Sequence, residues 1–229
     1  MISKKIHYCW FGENKKSKSI LRMIETWKKK LPDYEIIEWN EKNFDIENSN
    51  DFVKMAYANK KWAFVSDYVR LYALKKEGGI YLDTDVEVIK SFDDFLKYDF
   101  FISQEADTSF CTAVIGAKSD NEIITNFLKT YDNKKFSLNG PDKIQPNSIE
   151  IKNFFEKFTG LNASFNNEIH YKNNIVLPRT YFCAKDIHNY KLDVTKVTIS
   201  IHHLDASWYS PWHKFLHNCK KILFSLLKR

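Results

Sequence analysis

Apolar and polar positions in this chain follow two periods that alternate along its first half. Lys4–Cys9 reads as a short strand. Ser19–Lys30 carries Ile20, Met23, Ile24 and Trp27 at helical spacing, Pro32 and Asp33 break that pattern, and Tyr34–Trp39 is strand-like again. A helix is expected around Asp51–Asn59. A stronger one is expected over Trp62–Lys76, where Phe64, Tyr68, Leu71 and Tyr72 share a face and Gly78-Gly79 stops the pattern.

Strands are then expected at Ile80–Leu82, Val86–Ile89, Phe100–Ser103, Cys111–Gly116 and Val197–His202, with helices near Asn121–Tyr131 and Ile149–Phe158. Asp132–Pro146 is polar, carries Gly140-Pro141 and reads as a surface loop. Strands alternating with helices early, then a mixed second half, predict an α/β fold around a mostly parallel central sheet flanked by helices. No internal repeat or linker divides the chain. One domain over residues 1–212 is expected, followed by a C-terminal helix over 213–229.

Composition adds little except through charge. The 229 residues have an aromatic share of 16%, suited to packed sheets and stacking pockets, and a net charge of +6. Everything after Asp205 holds Lys214, Lys220, Lys221, Lys228 and Arg229 and no acidic residue, so that segment carries five of the six charges. The body is nearly neutral and lacks the broad basic face of a nucleic-acid binder, so no nucleic-acid partner is expected. In the tail Phe215, Leu216, Cys219, Ile222, Leu223, Leu226 and Leu227 recur at helical spacing among the basic residues. Such a helix either lies on an anionic membrane or packs on the body.

Cys9, Cys111, Cys183 and Cys219 are far apart and form no Cys-x-x-Cys pair, which argues against a zinc knuckle and a disulfide framework and favours a reducing compartment. The N-terminal apolar run is too short for a signal-peptide core, and no stretch approaches the roughly 20 apolar residues of a membrane span. A cytoplasmic protein is expected, soluble or peripheral on the inner face of the membrane.

The segment richest in chemistry is Ser66-Asp67-Tyr68-Val69-Arg70 followed by Gly78-Gly79-Ile80-Tyr81-Leu82-Asp83-Thr84-Asp85. Asp83 and Asp85 sit at the carboxyl end of a predicted strand, where ligands bind in open α/β sheets. Two carboxylates separated by one residue can share a hard divalent cation that also takes diphosphate oxygens, although two solvated turn aspartates would look the same in isolation. Asp67 and Arg70 lie three apart on one helix face, either as a surface ion pair or as groups aimed at sugar hydroxyls and phosphate oxygens. Tyr81, two residues before Asp83, shares its strand face.

These motifs resemble the DXD region of family 32 glycosyltransferases and the related clostridial glucosylating toxins. His7-Tyr8-Cys9-Trp10-Phe11-Gly12 is similar to that group's nucleotide-base motif, and Ile201-His202-His203-Leu204-Asp205-Ala206-Ser207-Trp208 to its closing His-x-x-x-Ser-Trp segment. The resemblance spans Ile6 to about Trp208. It implies a GT-A fold, a nucleotide-sugar donor (a UDP-sugar favoured over a GDP-sugar), Mn²⁺ or Mg²⁺, and transfer of a hexose with retention to a glycan or lipid-linked glycan in capsule, O-antigen or lipooligosaccharide synthesis. Trp10, with Phe11, would meet the base; Asp67, Arg70, Tyr81 and Asp83 the sugar and phosphates; Ser207 and Trp208 would cover the diphosphate. Asp83 and Asp85 would hold the cation with His202 or His203.

Alternation of Val197, Ile199 and Ile201 puts His202 on the opposite face and favours it over His203. On this reading Asp85, assisted by Asp83 and closed by His202, stabilises a leaving diphosphate, with Arg70 adding to the field. Glu105 and Asn139 are candidates for the far face of the sugar. The competing function is a non-catalytic nucleotide-sugar or glycan-binding protein of the same fold; a toxin-like enzyme acting on a protein is disfavoured by the lack of a delivery domain.

Overall fold

The computed structural model describes residues 1–138 and 144–205. Asn139, Gly140-Pro141, Ser207, Trp208 and the helix expected over 213–229 lie outside the described residues.

The early expectations hold closely. Strand β1 (Lys5–Cys9) leads to helix α1 (Lys18–Lys30), strand β2 (Glu35–Trp39), helices α2 (Asp51–Ala58) and α3 (Trp62–Glu77), and strands β3 (Gly79–Leu82) and β4 (Val86–Val88). The side chain of Ser17 caps α1 by accepting from the Ile20 amide at 3.3 Å, and Lys28, Lys29 and Lys30 sit where the helix dipole favours cations. Gly78 and Gly79, both at positive φ, turn α3 back into β3. A Cβ on Gly79 would come within 2.8 Å of the Lys5 carbonyl oxygen, so the turn demands glycine.

The second half comprises β5 (Phe100–Ala106), β6 (Ser109–Ala117), α4 (Glu122–Lys129), α5 (Asn147–Thr159), β7 (Ile169–Tyr171), β8 (Asn174–Leu177) and β9 (Ser200–His202). Short 3₁₀ turns occupy Asp93–Phe95 and Arg179–Tyr181. The β7–β8 hairpin has no counterpart in the sequence expectations. Its two-residue turn places Lys172 at φ 53, a conformation that the apolar pattern alone does not signal.

Seven strands form one sheet in the order β2-β1-β3-β6-β5-β8-β7. Five run the same way; β6 and β7 are reversed, so the sheet is mostly parallel in direction with antiparallel pairing around β6. Alternate residues feed two cores. Tyr81, Phe100, Ile102 and Ile115 pack with α2 to α5 on one face, while Ile80, Leu82, Phe101 and Val114 pack with Ile24 and Trp27 of α1 and with β4 on the other.

A two-stranded sheet, β4 with β9, lies on the α1 side. Trp27 Nε1 donates to the Val86 carbonyl at 2.8 Å, and the Val88 amide donates to Thr26 Oγ1 at 3.1 Å, so α1 holds β4 directly. The last strand starts later than expected. Thr195 and Thr198 close a turn through the Thr195 amide and Thr198 Oγ1 at 2.9 Å, leaving Val197 41% exposed and outside the apolar face assigned to it.

Two further differences concern cysteine and membrane contact. Cys111 and Cys183, separated by 72 residues, form a disulfide, so the expectation of unpaired cysteines fails for them and their spacing lends no support to a reducing compartment. Sequence distance concealed a contact that the β5–β6 and β5–β8 pairings create. Among the described residues no helix is long and apolar enough to cross a membrane.

Candidate active site

The carboxyl end of β3 faces the middle of α3. Because Tyr81 and Asp83 share a strand face, the Tyr81 hydroxyl reaches Asp83 and donates to its Oδ1 at 2.8 Å. From α3, Arg70 Nη2 lies 2.9 Å from Asp67 Oδ1 and 3.5 Å from Asp83 Oδ1. Its Nε donates to the Ser66 carbonyl at 3.2 Å and its Nη1 to the Thr112 carbonyl at 2.7 Å, while the guanidinium stacks 4.7 Å from the Tyr81 ring centroid. These partners explain how an arginine only 4% exposed is tolerated in the core.

Arg70 directs its donors at Ser66, Asp67, Asp83 and Thr112; of the two sequence readings, the Asp67–Arg70 ion pair is present, and it is buried rather than at the surface. The Thr112 carbonyl on β6 had no sequence signal, since every residue carries one.

Burial pushes the Asp67 carboxyl up to about 6, with the Asp83 charge adding to the rise and Arg70 opposing it. For Arg70 burial works against the charge, but Asp83, Tyr81 and Asp67 overcome it and raise the pKa. The Tyr81 hydroxyl is driven well above its ordinary value by burial, opposed by Arg70 and reinforced by Asp83.

Asp85 turns to the other side. Its Oδ2 accepts from the Asp205 amide at 2.8 Å and lies 3.4 Å from His202 Nε2. Burial alone would raise the Asp85 carboxyl, but the His202 charge and hydrogen bond and the Asp205 amide hold it well below the usual carboxylate range. Burial alone would likewise lower His202, yet Asp85 and Glu105 raise it well above the ordinary imidazole value. His202 Nδ1 lies 3.7 Å from Glu105 Oε1.

Asp83, Asp85 and His202 each offer one ligand atom, all within 4.8 Å of one another, a donor set suited to a divalent cation. The adjacent His203 faces elsewhere: its Nε2 is 2.9 Å from Glu87 Oε2, while its amide donates to the Asp85 carbonyl at 3.0 Å.

Trp10 follows β1 and lies apart from this cluster. Its Nε1 donates to the Asn14 carbonyl at 2.6 Å, and Lys16 Nζ sits 5.5 Å from its ring. A groove beside it is lined by Trp10, Asn14, Lys16, Glu38, Asn40 and Lys42, with Asp67, Arg70, Asp83 and Asp85 absent from its walls. Phe11 is buried, its ring edge-on to Phe44 with centroids 6.3 Å apart. His7, in the same motif, is structural: it is fully buried, with Nε2 2.7 Å from the Gly78 carbonyl oxygen and Nδ1 accepting from Trp39 Nε1 at 3.1 Å.

Comparison with known proteins agrees with the resemblance read from the motifs. Residues 17–102 match the family model described as glycosyltransferase sugar-binding region containing DXD motif, a stretch that includes Asp67, Arg70, Asp83 and Asp85. The chain is similar to Subversion of eukaryotic traffic protein A of Legionella pneumophila, with 29% identity over 154 residues, covering 54% of this chain and 24% of that protein. It is also similar to Glucan organizing enzyme 1 of Cryptococcus neoformans, with 35% identity over 83 residues, covering 32% of this chain and 23% of that protein. The chain thus spans about a quarter of the length of these curated relatives.

Among solved structures, PaToxG Glycosyltransferase superposes with a TM-score of 0.52 at 23% identity, covering 69% of this chain and 70% of that one, a likeness of fold. The α/β fold of the GT-A type expected from the motifs is the fold observed.

Proposed function

We propose that the chain is a metal-dependent, retaining glycosyltransferase that moves a hexose from a nucleoside-diphosphate sugar to a glycan acceptor. The observation that carries this reading is the convergence of Asp83, Asp85 and His202, from segments far apart in the sequence, within 4.8 Å of one another beside the buried Arg70. Asp85 and His202 would hold Mn²⁺ or Mg²⁺, with Asp83 assisting. Bound there, the cation supplies Lewis-acid stabilisation of the departing diphosphate.

The chain's own residues do the rest. Arg70, with Nη2 3.5 Å from Asp83 Oδ1, orients that carboxylate and adds positive potential where the diphosphate charge develops. Asp67, with a side chain 16% exposed, is an acceptor for a sugar hydroxyl. Trp10 offers a ring face for the nucleotide base, a UDP-sugar being favoured over a GDP-sugar. In the transfer, the bond between the anomeric carbon and the diphosphate oxygen breaks with its electron pair passing to the diphosphate. The acceptor hydroxyl oxygen bonds to that carbon from the same face, and its proton goes to the departing oxygen. The acceptor class favoured is a lipid-linked glycan of capsule, O-antigen or lipooligosaccharide type, with the basic segment after Asp205 nearest the membrane.

A panel of nucleotide sugars incubated with Mn²⁺ tests the reading. One donor should be hydrolysed, and Asp85→Ala should lower that turnover by at least about 100-fold, the scale on which loss of electrostatic stabilisation of a leaving group acts. Equal turnover by the variant and the parent rejects the assigned site.

A further inference from the structure

We propose that reduction of the Cys111–Cys183 disulfide creates a second cation site, in which both thiolates, His202 and Glu105 take one Zn²⁺. Glu105, Cys111, Cys183 and His202 each present one ligand atom, all within 4.8 Å of one another. Two sulfurs, an imidazole nitrogen and a carboxylate oxygen form a softer set than Asp83 and Asp85, one that selects zinc over magnesium or manganese. Tetrahedral zinc, with Zn–S about 2.3 Å and Zn–N about 2.0 Å, keeps its ligand atoms roughly 3.3–3.8 Å apart. The cluster reaches that spacing once the sulfurs part.

Four segments supply the ligands: Glu105 on β5, Cys111 on β6, Cys183 just after the 3₁₀ turn at Arg179–Tyr181, and His202 at the end of β9. The sulfurs are buried, whereas the side chains of His202 and Glu105 are 15% and 14% exposed, so the route in for an ion passes them. The segment carrying Cys183 is also tied to β9, because the Ile199 amide donates to the Tyr181 carbonyl at 2.8 Å and Ser200 Oγ to the Phe182 carbonyl at 3.1 Å. These two bonds tie the Cys183 segment to β9 independently of the disulfide.

The two nitrogens of His202 face the two sites. Nε2 is 3.4 Å from Asp85 Oδ2, while Nδ1 is 3.7 Å from Glu105 Oε1 and 4.0 Å from Cys183 Sγ. Zinc on Nδ1 leaves Nε2–H to donate to Asp85, the carboxylate–histidine–metal arrangement that fixes a ligating ring. A cation on Nε2 leaves Nδ1–H to donate to Glu105. A neutral imidazole has one proton and one free lone pair, so it serves one site at a time.

The chemistry balances with a dithiol as reductant: it gives two electrons and two protons, the Cys111–Cys183 bond breaks to two thiols, and the reductant closes to its own disulfide. Zinc then displaces the two thiol protons to solvent. Zinc occupancy would withdraw His202 from the Asp83–Asp85 cation, a consequence that rests on the transferase reading; the zinc site itself does not.

Co²⁺ is the probe, titrated into protein carrying Cys9→Ala and Cys219→Ala, reduced with a dithiol and freed of it under nitrogen. A near-ultraviolet thiolate-to-Co²⁺ charge-transfer band saturating at one equivalent per chain, displaced by Zn²⁺ and absent from the disulfide form, is expected. Glu105→Gln should weaken Co²⁺ binding by about tenfold or more, and Cys183→Ser should remove most of the band. The proposal is overturned if the reduced protein keeps its circular dichroism yet shows no band, or if the band survives in Cys111→Ser/Cys183→Ser. Donor hydrolysis is not read here, so failure of this site and failure of the transferase reading are separate results.

Discussion

Asp83 and Asp85 are separated by one residue, yet two different regions hold them. Asp83 belongs to the wall made by α3, β3 and β6, where Arg70, Tyr81 and Asp67 interlock and the Asp83 amide donates to the Ala113 carbonyl at 2.9 Å. Asp85 belongs to the β4–β9 side, where its partners His202 and the Asp205 amide come from far along the chain, the latter 120 residues away. The first wall joins α3 to the strand that directly follows it and ties both to β6, with the charge of Arg70 met by Asp67 and Asp83. The second is assembled by long-range pairing of two three-residue strands held against α1. On the proposed function, the first wall should respond to substitution mainly in stability and the second mainly in cation binding.

The largest effect should come from breaking the first wall. Arg70→Met leaves Asp67 and Asp83 without their buried cation and should cost about 3–5 kcal/mol of stability, read as a lowered denaturation midpoint. A change under about 1 kcal/mol would mean that the network is not what holds this wall.

The second wall should answer in cation binding and pH. His202 has a pKa raised above the ordinary 6.5 when no cation is bound. The stability from its pairing with Asp85 is therefore full below about 6.5 and lost as pH rises through the raised value. Asp85, whose pKa is depressed, contributes above its ordinary 3.8 and loses its share as pH falls through the depressed value. A cation must displace the His202 proton, so Mn²⁺ affinity should climb about tenfold per pH unit below the raised value. In His202→Asn that slope should vanish over the same range; an unchanged slope in calorimetric titrations would remove His202 from the site.

The smallest effect expected is that of Tyr81→Phe, which deletes one hydrogen bond to Asp83 and should cost about 1 kcal/mol. Mn²⁺ affinity should change less than in His202→Asn. The reverse ranking would mean that Asp83, rather than the Asp85–His202 pair, dominates cation binding.

Much of this was legible beforehand because the signals are local. The face shared by Phe64, Tyr68 and Leu71 and the glycine pair at 78–79 located α3 and β3, and the spacings Asp67 to Arg70 and Tyr81 to Asp83 foretold which side chains would meet. The β7–β8 hairpin escaped because its tight turn puts Lys172, a residue with no turn preference, at φ 53. The start of β9 was misjudged because the Thr195–Thr198 turn uses β-favouring residues. Two contacts gave no local sign at all: the Cys111–Cys183 disulfide and the Arg70 bond to the Thr112 carbonyl.

By itself the sequence determined the elements of the first half and the Asp-x-Asp at a strand end, and its alternation placed His202 on the polar side of its strand while leaving His203 as the other candidate ligand. Each follows from period, turn chemistry or adjacency, which act over a few residues. Tertiary structure alone decided that Arg70 is spent inside the protein, that Asp83 and Asp85 answer to different partners, and that two distant cysteines meet beside His202. Those outcomes depend on which strands lie side by side, and strand order is set by burial of two cores across the whole sheet rather than by any segment within it.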